Sequence, residues 1–173
     1  RVLARMEHLG IGVDPGVLIR IRDELTEETE GLRQQVIDAA GHEFNVNSTK
    51  QLREVLFDEL GLTPQKKTKT GFSTDAQSLE KMRDEHPIVE NLLRYREVEK
   101  LRSTYGEGLV AEVGEGDRIR ATFQQTVART GRLSSDQPNL HNIPVRSERG
   151  RVFRTAFAVS YTHLRAHETE AYL

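Results

Sequence analysis

Two long stretches of this chain repeat apolar residues at three- and four-residue steps. In "DPGVLIRIRDELTEETEGLRQQVIDAAG", Leu18, Ile21, Leu25, Leu32 and Val36 recur this way and fall on one narrow stripe of a helix. Asp14 is a natural N-cap, Pro15 suits the first helical position, and Gly41 is placed to stop the helix. In "HPIVENLLRYREVEKLRSTYGEGL", Pro87 opens the helix, and Ile88, Leu92, Tyr95, Val98, Leu101 and Tyr105 keep the spacing. So narrow a stripe, with charge on the other faces, wants a partner helix more than a globular core. The two stretches are therefore expected to form an antiparallel, coiled-coil-like pair.

Two shorter helices are predicted between them. "NSTKQLREVLFDELG" opens with Ser48 and Gln51 at capping-box spacing, and "STDAQSLEKM" repeats the device with Thr74 and Gln77. The connector "TPQKKTKTGFS" holds three lysines and several hydroxyls and buries little apolar surface, so it should lie exposed. After Gly116 the period changes. "DRIRATFQQTV" alternates Ile119, Ala121 and Phe123 with polar residues, as a half-buried strand does, and "RVFRTAFAV" is a second strand candidate. The expected fold is α+β: a helical arm followed by the first antiparallel strands of a sheet.

Composition narrows the function classes. The 173 residues carry 25 Lys and Arg against 27 acids, a net charge of -2, so bulk charge announces no nucleic-acid partner. Distribution says more than the sum. Residues 1–43 hold five Arg against nine acids, whereas residues 118–154 hold eight Arg against two, which suggests a solvated scaffold followed by an anion-facing surface. The absence of cysteine removes disulfides, thiolate zinc sites and Cys nucleophiles, and fits a reducing cytoplasm. No run approaches the roughly 20 apolar residues of a membrane span.

Two segments carry candidate chemistry. Lys66, Lys67 and Lys69, with Thr68, Thr70, Ser73 and Thr74, offer cations, hydroxyls and backbone N–H groups suited to phosphates along a nucleic-acid backbone, and Lys100, Arg102 and Ser103 add to them. A solvated loop is the other reading. In "TGRLSSDQPNLHNIP", Arg132 follows a Gly turn, and Asn139 and Asn142 are held between Pro138 and Pro144. In the minor groove every base pair shows acceptors at nearly fixed positions, so a preorganised Arg with two amides would check duplex shape without selecting a base. A structural turn whose Asn residues cap their own backbone fits the same residues.

The longer run "TGRLSSDQPNLHNIPVRSERGRVFRTAF" resembles the segment of family A DNA polymerases that enters the palm from the thumb. "FNVNSTKQLREVLFDELGL", "KKTKTGFSTDAQSLEKM" and "YREVEKLRSTYGEGL" are similar to that family's thumb, in the same order. His141 stands where the family usually has Gln, which leaves the Arg and Asn positions intact. The resemblance runs from about Leu3 to Val159. It implies that residues 1–13 end a connection from an exonuclease-like domain, that 14–112 form the thumb, and that 113–159 begin the palm. It further implies DNA contacts at Asn47, Ser48, Lys67, Lys69, Ser73, Thr74, Lys100, Arg102, Ser103, Arg132, Asn139 and Asn142, with Arg132 at the primer end.

The family's strand ending D-Y-S-Q-I-E-L-R, whose Asp binds catalytic metal, does not occur in this sequence, so the chain alone is expected to be inactive. The parent enzyme implied is a cytoplasmic, nucleoid-associated monomer using Mg2+, deoxynucleoside triphosphates and primer–template DNA. Residues 160–173, "SYTHLRAHETEAYL", fit no family pattern and read as a non-native tail. Their His163, His167 and Glu168 are not expected to bind metal, because two His a helical turn apart still need a third placed ligand. Two other classes stay open: a non-enzymatic, sequence-independent nucleic-acid clamp, and a helical protein-interaction module.

Overall fold

A computed structural model describes residues 1–69, 71–144 and 148–157. The elements in chain order are α1 (Val2–Leu9), β1 (Ile11–Gly12), α2 (Pro15–Ala40) and α3 (Thr49–Arg53), which runs on as a π-helical stretch (Glu54–Glu59). Next come β2 (Lys67–Thr68), β3 (Gly71–Phe72), α4 (Ala76–Lys81) and α5 (Pro87–Leu101). A second π-helical stretch (Arg102–Glu107) continues α5 into α6 (Gly108–Ala111). The remainder is β4 (Val113–Gly114), β5 (Arg118–Ile119), β6 (Thr122–Gln124), β7 (Ser134–Asp136), a 3-10 turn (Leu140–Asn142) and α7 (Glu148–Thr155). The α+β expectation holds. Two compact units result: one of residues 24–102, the other of residues 1–23 with the described residues from 103 onward.

The 24–102 unit is helical, and its core follows the predicted stripes. Leu25, Leu32 and Val36 of α2 are buried with Ile88, Leu92, Tyr95 and Val98 of α5. Asn91 Nδ2 donates to the Gln35 carbonyl at 3.5 Å, and Arg33 lies near Tyr95. Rising numbers on one helix thus meet falling numbers on the other, and the pair is antiparallel. Leu52, Val55, Leu56, Leu79 and Met82 of the shorter helices close the core.

The caps differ in detail from expectation. Ser48 accepts from the Gln51 amide at 3.5 Å, but the Gln51 side chain reaches the Asn45 amide, at 2.7 Å, instead of closing a box. Asp75, not Thr74, caps α4 by accepting from the Ser78 amide at 2.7 Å. Ser73, Thr74 and Asp75 are three consecutive capping residues, and the carboxylate, as the strongest acceptor, takes the position.

In the other unit, β1, β5 and β4 form an antiparallel sheet with Ile11, Ile119 and Val113 in register. The predicted strand over residues 117–127 breaks at Arg120 and Ala121. Beyond the break, β6 pairs with β7 and sets Phe123 opposite Ser135. The second strand candidate, residues 151–159, is corrected over its described part: residues 151–155 lie in helix α7 (Glu148–Thr155), and 158–159 lie outside the described residues. Phe153 and Ala156, three residues apart, are both fully buried, and the Asp14 amide donates to the Ala156 carbonyl at 2.8 Å. Asp14 Oδ1 also accepts from the Val17 amide, which caps α2 as predicted. Within this unit Gly106 lies against the α2 backbone, where a Cβ would sit 3.4 Å from the Arg22 Cα.

Arg118 and Arg120 do not face outward anions. Arg118 Nε donates to the Leu9 carbonyl and Arg120 Nε to the His8 carbonyl, so both cap the C-terminal end of α1. Val145, Arg146, Ser147 and residues 158–173, among them His163, His167 and Glu168, lie outside the described residues.

Candidate nucleic-acid interface

The 24–102 unit presents Lys66, Lys67 and Lys69 on a hairpin, where the sequence alone suggests only an exposed connector. Lys67 pairs with Phe72 and Thr68 with Gly71, and the Ser73 amide donates to the Lys66 carbonyl at 2.8 Å to close the base. Gly71 adopts φ 128°, a backbone state that L side chains rarely take, and the Thr68 hydroxyl donates to its carbonyl at 2.7 Å. Lys66, Lys67 and Lys69 are exposed, while Thr70 lies outside the described residues. Ser73 and Thr74 are buried, at 7% and 6% exposure. Their groups serve the fold: Ser73 Oγ accepts from the Asp75 amide, and Thr74 offers its carbonyl and hydroxyl to Arg96. The Asp75 carboxyl is held down at about 2, first by the Ser78 hydroxyl and amide, then by the Ser73 hydroxyl, with Lys66 adding attraction.

A second polar surface of this unit surrounds the start of α3. Asn47 is exposed, and its Oδ1 accepts from the Tyr95 hydroxyl at 3.0 Å, which fixes the amide with its N–H2 end as the remaining donor. Burial pushes the Tyr95 phenol above its ordinary range, and the Asn47 bond opposes this. The Asn47 amide N–H bonds to Asn45 Oδ1 at 3.0 Å, and Ser48 caps α3. Asn47 also rims a polar cleft of about 440 Å³ lined by Arg33, Asn45, Gln51 and Tyr95. At the end of α5 Lys100 is exposed, whereas Arg102 lays its fork on Glu99 at 2.8 Å through both Nε and Nη2.

In the other unit, Ser103 and Arg132 are exposed. Gly131, at φ 75°, makes the turn that precedes Arg132. Ser135, 1% exposed, organises the chain from Pro138 to Leu140. Its hydroxyl donates to the Pro138 carbonyl at 3.0 Å and accepts from the Leu140 amide at 3.3 Å. Asn139 and Asn142 flank this knot, both exposed, and Asn139 makes no capping bond although it stands at the N-cap of the 3-10 turn. The buried Tyr105 hydroxyl donates to the Asn142 carbonyl, and its ring packs on Phe153 at 5.8 Å. Serine and tyrosine thus fix the backbone, and the Asn139 amide is not used to cap it.

Arg96, Tyr105 and Ser135 escape a reading of the sequence. Each works on a backbone carbonyl, which a sequence does not mark. The one visible signal is Arg96, a charge placed four residues after the buried Leu92, on the flank of the apolar stripe. Among the described residues no group of three or more His, Asp or Glu is gathered that could hold a metal ion.

Comparison with known proteins agrees on one family. The model of DNA polymerase family A matches residues 16–167. DNA polymerase I of Geobacillus stearothermophilus is 49% identical over 160 residues, which are 92% of this chain and 18% of that protein. DNA polymerase I of Bacillus subtilis is 45% identical, again over 92% of this chain and 18% of its own length. The chain therefore spans under a fifth of these relatives. Among solved structures, the POL domain of Pol1 from M. smegmatis, in complex with DNA primer-template and dNTP, is similar at a TM-score of 0.85 and 44% identity, over 92% of this chain and 28% of that one. A long helical pair with matched stripes, a lysine hairpin and the Thr130–Pro144 segment occur here in one order, under a match that covers most of the chain: it belongs to DNA polymerase family A.

Proposed function

We propose that this chain is the duplex-gripping part of a DNA polymerase I, in which residues 14–112 act as thumb and 113–159 as the start of the palm. The reaction of the whole enzyme is template-directed addition of deoxynucleotides to a primer 3′ end with Mg2+, in a monomeric, cytoplasmic, nucleoid-associated protein. The part of this chain in that reaction is to hold DNA. The observation that carries this reading is the hairpin whose strands bond to each other while Lys66, Lys67 and Lys69 stand in solvent. Cations so placed neutralise phosphates without reading sequence.

Asn47, Lys100 and Ser103 extend the phosphate contacts. Ser48, Ser73 and Thr74 contribute through the backbone they fix, and Arg102 contributes only if Glu99 releases it. Arg132, Asn139 and Asn142 meet the minor-groove edge, where acceptors recur whatever the base pair. The M. smegmatis neighbour, solved with primer-template and dNTP, supports the assignment of both partners.

The test is fluorescence anisotropy with primer–template duplexes of unrelated sequence. Binding should be equal across sequences, weaken with salt, and weaken further with Arg132→Ala and with the hairpin lysines neutralised. Equal binding after both changes would contradict the reading.

A further inference from the structure

We propose that Arg96 is a positioning residue, which fixes the base of the lysine hairpin so that Lys67 and Lys69 meet DNA phosphates without Arg96 touching the duplex. The proposal rests on the reading of the hairpin as a DNA contact. With two residues in each strand, the hairpin is too short to hold its shape alone. Its own rungs end at the bond from the Ser73 amide to the Lys66 carbonyl. The next residue is Thr74, and here Arg96 enters from α5: Nη1 donates to the Thr74 carbonyl, and Nη2 lies 3.4 Å from its hydroxyl.

Arg96 is half-buried on the flank of a stripe whose Leu92, Tyr95 and Val98 are buried, so its stem is packed and its fork is aimed inward. Burial lowers its pKa from the ordinary value and the Asp75 charge opposes that, while the intrinsic basicity of a guanidinium leaves it a cation beside its acceptor. A charge-assisted bond of this kind is roughly twice as strong as a neutral one. Two further ties at the hairpin are looser. Phe72 meets Phe57 edge-on at 5.3 Å while staying 38% exposed, and the Lys66–Asp75 pair is 3.9 Å apart and solvated. A fork occupied by Thr74 is not presented to phosphate. Arg96 nevertheless bears on DNA binding, because its acceptor is one residue from the rung that closes the lysine turn.

The experiment uses the whole 173-residue chain and a fluorescent primer–template duplex. Arg96→Met and Arg96→Lys are measured by anisotropy in the unaltered chain and in a Lys66→Ala, Lys67→Ala, Lys69→Ala background. Arg96→Met should weaken binding about tenfold in the first and by less than about twofold in the second, because coupled residues fail additivity. Arg96→Lys keeps one charged donor, folds with the stem in place, and should fall between. Equal losses in both backgrounds, or no loss in the unaltered chain, overturn the proposal. If the triple lysine variant binds as tightly as the parent, the DNA reading itself fails, and hydrogen exchange without DNA still decides the role of Arg96. The Ser73 amide should exchange roughly tenfold faster in Arg96→Met while the Val98 amide keeps its rate; an unchanged Ser73 rate refutes the brace.

Discussion

The lysine hairpin and the Thr130–Pro144 segment present polar groups in opposite ways. On the hairpin the backbone forms a ladder, and the working groups are ammonium ions at the ends of four-carbon stems. In the second segment Arg132 is the cation, and Asn139 and Asn142 carry short side chains on a backbone that Ser135 and Tyr105 hold in place. Mobile cations gain affinity from released counterions and demand little geometry. Fixed amides carry almost no charge and reward only an acceptor in the right place. On the proposed function, the difference would separate two tasks, a salt-sensitive hold on any duplex and a check of its shape.

Changes on each side should therefore leave different signatures. The largest effect is expected from Lys67→Ala with Lys69→Ala: binding should fall by about two orders of magnitude at low salt, and the slope of log affinity against log salt should flatten by about one per lysine. Arg132→Ala should cost about tenfold, and Arg132→Lys should rescue little, because a point charge does not replace a planar fork. Both are read by anisotropy titration. Tyr105→Phe removes the donor from the Asn142 carbonyl. It should weaken binding by about threefold and lower stability by about 1 kcal/mol in thermal melts, with the hairpin lysines keeping their full effect on binding.

The smallest effect concerns pH. The exposed His42 bonds Glu59 Oε2 at 2.7 Å, and the Glu59 carboxylate first, then the Glu43 carbonyl, raise its pKa above the ordinary 6.5. A raised folded-state value means that the contribution is complete below the ordinary value and is lost as pH rises through the raised one. The melting temperature of the unaltered chain should fall slightly as pH rises above 6.5 through the raised value, and His42→Gln should abolish that part of the dependence.

How much of this is legible in the sequence divides along the same line. The helical pair can be read because 26 residues of α2 give the 3.6-residue period several turns to declare itself. Strands of two and three residues give period two no such room. "DRIRATFQQTV" therefore looks continuous, although its two halves pair in different sheets. "RVFRTAFAV" satisfies both periods, and its first five residues lie in α7, where Phe153 is buried. The basic count over residues 118–154 suggests an anion-facing surface, yet Arg118 and Arg120 donate to carbonyls of α1 more than a hundred residues earlier. The exposed candidates Lys67, Lys69, Arg132, Asn139 and Asn142 are legible because their chemistry lies in their side chains. Arg96, Tyr105 and Ser135 are not, because their partners are backbone carbonyls set by the fold.

The central claim is that affinity and shape checking are carried by different kinds of group. It is tested most directly by the salt dependence of duplex binding for three proteins: the unaltered chain, Lys67→Ala with Lys69→Ala, and Asn139→Ala with Asn142→Ala. The lysine variant should flatten the slope by about two, and the asparagine variant should lower affinity at every salt concentration with its slope unchanged. If the asparagine variant flattens the slope as much as the lysine variant, or if neither alters binding, the division of labour is wrong.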